Sequence, residues 1–73
     1  MVGGQNMTEE QRARIEGRIN EWNRQATQAE NEGRQDAAYK LLIGKIDAAI
    51  ELLSIAGYVV YWTGRDFKIG RVN

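Results

Sequence analysis

The chain contains no cysteine and no histidine among its 73 residues. The missing cysteine excludes disulfides, and the two absences together exclude the usual zinc sites and a histidine base for nucleophilic catalysis. No stretch has the closely spaced acids around a glycine that a calcium loop needs, and neither glycine-rich phosphate-binding pattern occurs. The only serine, Ser54, is expected on a polar helix face. We therefore expect no metal, no cofactor and no enzymatic activity.

The small size and balanced charge of the chain narrow its partners. A domain this short buries little of its surface and usually gains stability from disulfides, a metal or oligomerisation, of which only oligomerisation remains. The ten basic and ten acidic residues cancel, which argues against a general nucleic-acid or membrane binder. No apolar run approaches the roughly 20 residues that span a bilayer, and the N-terminus lacks a signal peptide pattern. We expect a cytoplasmic protein.

The N-terminal half predicts one long helix. Residues 1–7 are polar and glycine-containing, so we expect a disordered tail before a single domain over residues 8–73. The sequence from Thr8 to Gln11 matches a capping box, which predicts a helix beginning near Glu9. The apolar residues of this helix recur at steps of four and three, as in a heptad seam. They are Ile15, Ile19, Trp22, Ala26 and Ala29.

A second helix follows after a short connection. Gly33 is placed to end the first helix and Asp36 to cap the second, which predicts an antiparallel helical hairpin. The second helix is apolar around about two-thirds of its circumference at 3.6 residues per turn. Its seam consists of Tyr39, Leu42, Ile46, Ala49, Leu53 and Ala56, and further apolar residues off the seam are Leu41, Ile43, Ile50, Leu52 and Ile55. The narrow seam of the first helix cannot cover so wide an apolar arc.

The C-terminal segment predicts a β-hairpin. Gly57 ends the second helix, and Gly64-Arg65 suits a two-residue turn with glycine at its first position. The resulting register pairs Trp62 with Phe67, Val60 with Ile69, Tyr58 with Arg71, Tyr61 with Lys68 and Val59 with Gly70. One face of this hairpin is apolar and is expected to pack on the second helix.

These elements give an α+β fold, in which an antiparallel two-helix hairpin precedes a C-terminal two-stranded β-hairpin. We expect a small non-enzymatic homo-oligomer, a dimer or higher, that regulates or scaffolds by binding another protein. Its general character is typical of an accessory protein of a phage or mobile element. The residues expected at the oligomer interface are Ile15, Ile19, Trp22, Tyr39, Leu42, Ile43, Ile46, Ile50 and Leu53.

An alternative function uses the hairpin. Aromatic and basic residues interleaved on a β-ribbon can stack on bases and bind phosphates, so an accessory protein that binds nucleic acid is the second hypothesis. The residues that would carry it are Tyr61, Arg65, Lys68 and Arg71. Charged residues on an edge strand also prevent aggregation, and that structural role is the more common one.

Overall fold

The computed structural model describes residues 7–71 and has the predicted α+β architecture. Helix α1 (Glu9–Asn31) and helix α2 (Ala37–Ile55) form an antiparallel hairpin, which is followed by strands β1 (Tyr58–Trp62) and β2 (Phe67–Arg71). No helix in this range is long and apolar enough to cross a membrane.

The start of α1 confirms the capping box. The Thr8 hydroxyl accepts a hydrogen bond from the Gln11 amide, the Gln11 side chain accepts one from the Thr8 amide, and both are 3.0 Å long. Met7 belongs to the packed structure, because its amide donates to the Tyr58 hydroxyl at 2.8 Å and its side chain contacts the core. Met7, the last residue of the expected disordered tail, is therefore part of the folded domain. Residues 1–6 of that tail lie outside the described range.

The connection between the helices is also built as predicted. Gly33 adopts a positive φ of 73°, and the following amide of Arg34 donates to the Ala29 carbonyl at 2.8 Å, which closes the last turn of α1. The Asp36 carboxylate accepts from the Tyr39 amide at 3.1 Å and caps α2. The short connection therefore holds the two helices side by side.

The β-hairpin has the predicted register, from Tyr58 opposite Arg71 to Trp62 opposite Phe67. At the turn, Gly64 has a φ of 98°, which is the left-handed conformation expected at that position. The Thr63 amide donates to the Asp66 carbonyl at 2.9 Å, and the Thr63 hydroxyl accepts from the Asp66 amide at 3.2 Å. The threonine side chain thus supports the turn in addition to the backbone bond.

The hydrophobic core lies between the helical hairpin and one face of the β-hairpin. Strand β1 contacts α2, and strand β2 contacts α1, so the β-hairpin straddles both helices. The contact with α2 agrees with the expectation from the sequence, and the contact with α1 adds to it. This second contact arises because α1 offers β2 polar partners that a hydrophobic pattern does not reveal. The buried residues are Ile19, Ala26, Ala29, Ile46, Leu53, Tyr58 and Ile69.

Candidate interaction surface

Three of the expected interface residues are buried in the core of the single chain. Ile19, Ile46 and Leu53 are 0%, 7% and 8% exposed. Helical periodicity identifies an apolar face but cannot distinguish a partner within the chain from one in another chain, so the expected interface stays a prediction. The other six are half-buried: Ile15, Trp22, Tyr39, Leu42, Ile43 and Ile50.

The most exposed apolar helical surface lies on another side of α2. We call it the leucine stripe and define it as Leu41, Ala48, Leu52 and Ile55, which recur at steps of seven, four and three. Its large members are 61%, 67% and 76% exposed, in chain order. The sequence analysis places Leu41, Leu52 and Ile55 among the apolar residues off the seam, but not among the expected interface residues. A second heptad spacing starting at Leu41 is the signal that identifies them.

Next to the stripe, an apolar groove runs between the two helices. The Trp22 groove has a volume of about 210 Å³ and is lined by Arg14, Ile15, Arg18, Ile19, Trp22 and Ala49. The Trp22 ring has the Arg18 guanidinium 5.7 Å from its centroid and the Lys45 ammonium 5.6 Å from it. Both distances allow cation–π attraction. The Lys45 ammonium therefore reaches out over Trp22 from the apolar side of α2.

The groove is bordered by cations that lack acidic partners. Within residues 7–71, no ion pair involves Arg14, Arg18 or Lys45. The same holds for Asp47 and Glu51, the two acids of α2. The described chain thus presents unpaired arginines on α1 beside the groove, and α2 carries unpaired acids on its polar face as well as unpaired lysines.

The Trp22 groove is small compared with a typical site for a small molecule or cofactor. Small-molecule sites usually occupy about 300–1,000 Å³, whereas this groove holds about one or two side chains. A larger cavity of about 450 Å³ has Met7 and Arg71, the first and last described residues, in its wall. Its Arg12 is engaged by Glu9 and Glu16, which raise the pKa of the guanidinium. We assign no site to this cavity.

The outer edge of β2 is closed by side chains of α1. The Asn20 side-chain amide accepts from the Phe67 amide at 2.7 Å and donates to the Phe67 carbonyl at 3.0 Å. The Glu16 carboxylate accepts from the Ile69 amide at 2.8 Å and from Arg12 at 3.0 Å. Sequence reasoning missed both residues, because their partners lie about fifty positions away along the chain. The only sequence signal for these two contacts is the spacing of four residues between Glu16 and Asn20, which places both on one side of α1 beside the seam.

The outer edge of β1 has no such partners in the described structure. The Thr63–Asp66 bond fixes the phase of the ladder, so the backbone groups of Tyr58, Val60 and Trp62 point away from β2. No side chain between residues 7 and 71 bonds to these backbone groups. Strand β1 also contains no charged residue or proline, the usual protections of an edge.

The four residues of the nucleic-acid hypothesis do not share one surface. Tyr61 and Lys68 face each other on the outer side of the hairpin, and Arg65 lies in the turn. Arg71 lies on the side that packs on the helices, where its guanidinium is 5.9 Å from the Tyr58 ring centroid. The hypothesis therefore retains three residues on or near the outer face, and Lys68 has an acidic neighbour, Asp66, at 3.9 Å.

The side chains of residues 7–71 contain no group of three histidine, cysteine or acidic residues close enough to hold a metal ion. In comparisons with known proteins, no family model, no curated protein and no solved structure matches this chain.

Proposed function

We propose that this chain is a small, non-enzymatic, homo-oligomeric protein-interaction module of the cytoplasm with a regulatory or scaffolding role. The observation that carries the proposal is the leucine stripe, whose large side chains lie outside the core and are mostly exposed. A surface of this kind is typical of an interface between proteins.

The energetics support association through the stripe. Full burial of a leucine or isoleucine side chain contributes about 1.5–3 kcal/mol, and a domain of this size has a narrow margin of stability. Because the three side chains are 61–76% exposed, burying them on both copies would contribute about two-thirds of that value for each, and the cost of association is subtracted from the sum. A two-fold dimer is the commonest arrangement for such an interface.

A concentration series tests this proposal. We expect sedimentation or light scattering to show association at micromolar concentration, and a Leu41→Gln/Leu52→Gln variant to be monomeric. Glutamine has nearly the helix propensity of leucine, so the helix content should be retained. The control is Val59→Thr, which makes an exposed apolar residue polar on the outer face of β1 and should leave association unchanged. A monomeric wild-type chain with cooperative, concentration-independent unfolding would contradict the proposal.

A further inference from the structure

We propose that the Trp22 groove receives α2 of a second copy of this chain, so that two helical hairpins pack face to face as a four-helix bundle. This inference rests on the proposed function and adds the occupant, the face and the charge pairing. In this arrangement Leu52 of each copy enters the groove of the other, and the acidic edge of α2 meets Arg14 and Arg18.

The groove and the leucine stripe form one continuous surface. Ala49 of α2 lies in the groove wall. At 100° per residue, the side chains that follow it around the circumference of α2 are Lys45, then Leu52, and then the rest of the leucine stripe. A helix laid across the groove therefore also contacts the stripe. One partner can cover both features at once.

This surface lies away from the β-hairpin. Glu16 and Asn20 bind β2. Arg14 lies two residues before Glu16 in the sequence, and Arg18 lies two residues before Asn20. Two residues correspond to 200° around a helix, so the two arginines project from the opposite side of α1. A second copy can approach the helices without displacing the β-hairpin.

Charge complementarity identifies the occupant as a copy of the same chain. The groove is bordered by unpaired cations on α1, and the α2 stripe is flanked by the unpaired acids Asp47 and Glu51. The same face of α2 also carries Lys40, which lies about 16 Å from Glu51 along the helix axis, so the face is acidic only towards its C-terminal end. Each copy therefore carries both the basic groove and a stripe whose C-terminal part has an acidic edge that complements the groove. In a two-fold dimer, the stripe of each copy meets the groove of the other, and the acids of each copy meet the arginines of the other. The chain has no net charge, so there is no overall repulsion between two copies.

A charge-exchange experiment tests the pairing in the full chain. We expect Arg14→Glu and Glu51→Arg each to weaken self-association at least tenfold, because each places like charges together at two symmetric contacts. The combined variant should recover the wild-type dissociation constant to within about threefold. Arg65→Glu makes the same charge change at the exposed turn and serves as the control; it should have little effect.

Fluorescence tests the position of the interface independently. The chain has two tryptophans, so Trp62→Phe leaves Trp22 as the only one. We expect its emission to shift to shorter wavelength and its quenching by iodide to fall as the protein associates. Association without recovery in the combined charge variant, or without a change at Trp22, overturns this arrangement and leaves the proposed function standing. A wild-type chain that remains monomeric overturns both.

Discussion

Asn20 satisfies both backbone groups of Phe67 with one side chain, accepting from the amide at 2.7 Å and donating to the carbonyl at 3.0 Å. The two residues are 47 positions apart, so this contact links the middle of α1 to the start of β2. A single amide thereby substitutes for a neighbouring strand at that position. Because an isolated two-stranded hairpin is marginal in water, such anchors help to fix it on the helices.

Replacing Asn20 with alanine should weaken this anchor. We expect Asn20→Ala to lower the free energy of unfolding by about 1–3 kcal/mol, since it leaves two partly buried backbone groups without their partner. Urea unfolding at a fixed protein concentration measures the change. Asn23→Ala is a matched control on the same helix, because the Asn23 side chain makes no hydrogen bond with residues 7–71 and the gain in helix propensity is equal. Equal stabilities for the two variants would rule out the anchor.

Glu16 should act as a second anchor through its bonds to Ile69 and Arg12. We expect Glu16→Ala to cost about 1–3 kcal/mol, whereas Glu16→Gln keeps an acceptor for the Ile69 amide and should cost less. Amide hydrogen exchange at Ile69 gives a local readout, with faster exchange in the alanine variant. The exposed Glu10→Ala change on the same helix should leave this exchange rate unaltered. Unchanged exchange in Glu16→Ala would contradict the assignment.

Tyr39 should titrate unusually, because its hydroxyl donates a hydrogen bond to the Glu30 carboxylate. This bond, with smaller contributions from desolvation and the Glu30 charge, raises the pKa of Tyr39 above its ordinary value of 10.0. The protonated form is the one favoured by folding, so the contribution to stability is complete below pH of about 10 and is lost as the pH rises through the folded pKa.

The variant Glu30→Gln should lower the pKa of Tyr39 towards its ordinary value. Ring-labelled tyrosine followed by NMR across alkaline pH measures the pKa of Tyr39 directly. Glu10→Gln removes an equal charge elsewhere on α1 and should leave the pKa of Tyr39 in place. If the Tyr39 pKa is the same in Glu30→Gln and wild type, the hydrogen bond does not form in solution.

The outer face of the β-hairpin should not bind nucleic acid. Only Lys68 and Arg65 accompany Tyr61 there, Asp66 lies 3.9 Å from the Lys68 ammonium, and the chain has no net charge. We expect no salt-dependent binding of a single-stranded oligonucleotide between 50 and 200 mM salt, the range over which about six phosphate contacts would change affinity greatly. Micromolar binding that weakens with salt and is reduced by Arg65→Ala and Lys68→Ala would contradict this expectation.

Much of the fold could be predicted from local signals. The capping box at Thr8 and the cap at Asp36 set the helix starts, and the turn glycine with the alternating apolar residues set the strand register. The helix caps and the turn depend on residues close together in the sequence. The strand register depends on the alternation of apolar and polar residues, because a shift by one residue would move every side chain to the opposite face. For this reason the bounds of the helices and strands followed from the sequence.

The surfaces were harder to predict because they depend on which element covers which face. Ile46 and Leu53 belong to one core cluster with Ile19 of α1 and Tyr58 of β1, whereas Leu52 is next to Leu53 yet exposed. The contact of Asn20 with Phe67 is specified by tertiary geometry alone. Periodicity shows that α2 has too much apolar surface, and only the packed structure shows which part of it remains outside.

The unequal edges of the β-hairpin limit how far its sheet can extend. Asn20 and Glu16 occupy the β2 edge, while the β1 edge of Tyr58, Val60 and Trp62 remains open in the described structure. Each chain therefore behaves like a monomer with a single reactive end: it has one strand edge to which another strand can be added. Once that edge is paired, no open edge is left for a further chain. Exposure of the uncharged β1 edge can therefore produce a terminated pair, but it supplies no route to a growing β-filament while the α1 anchors hold.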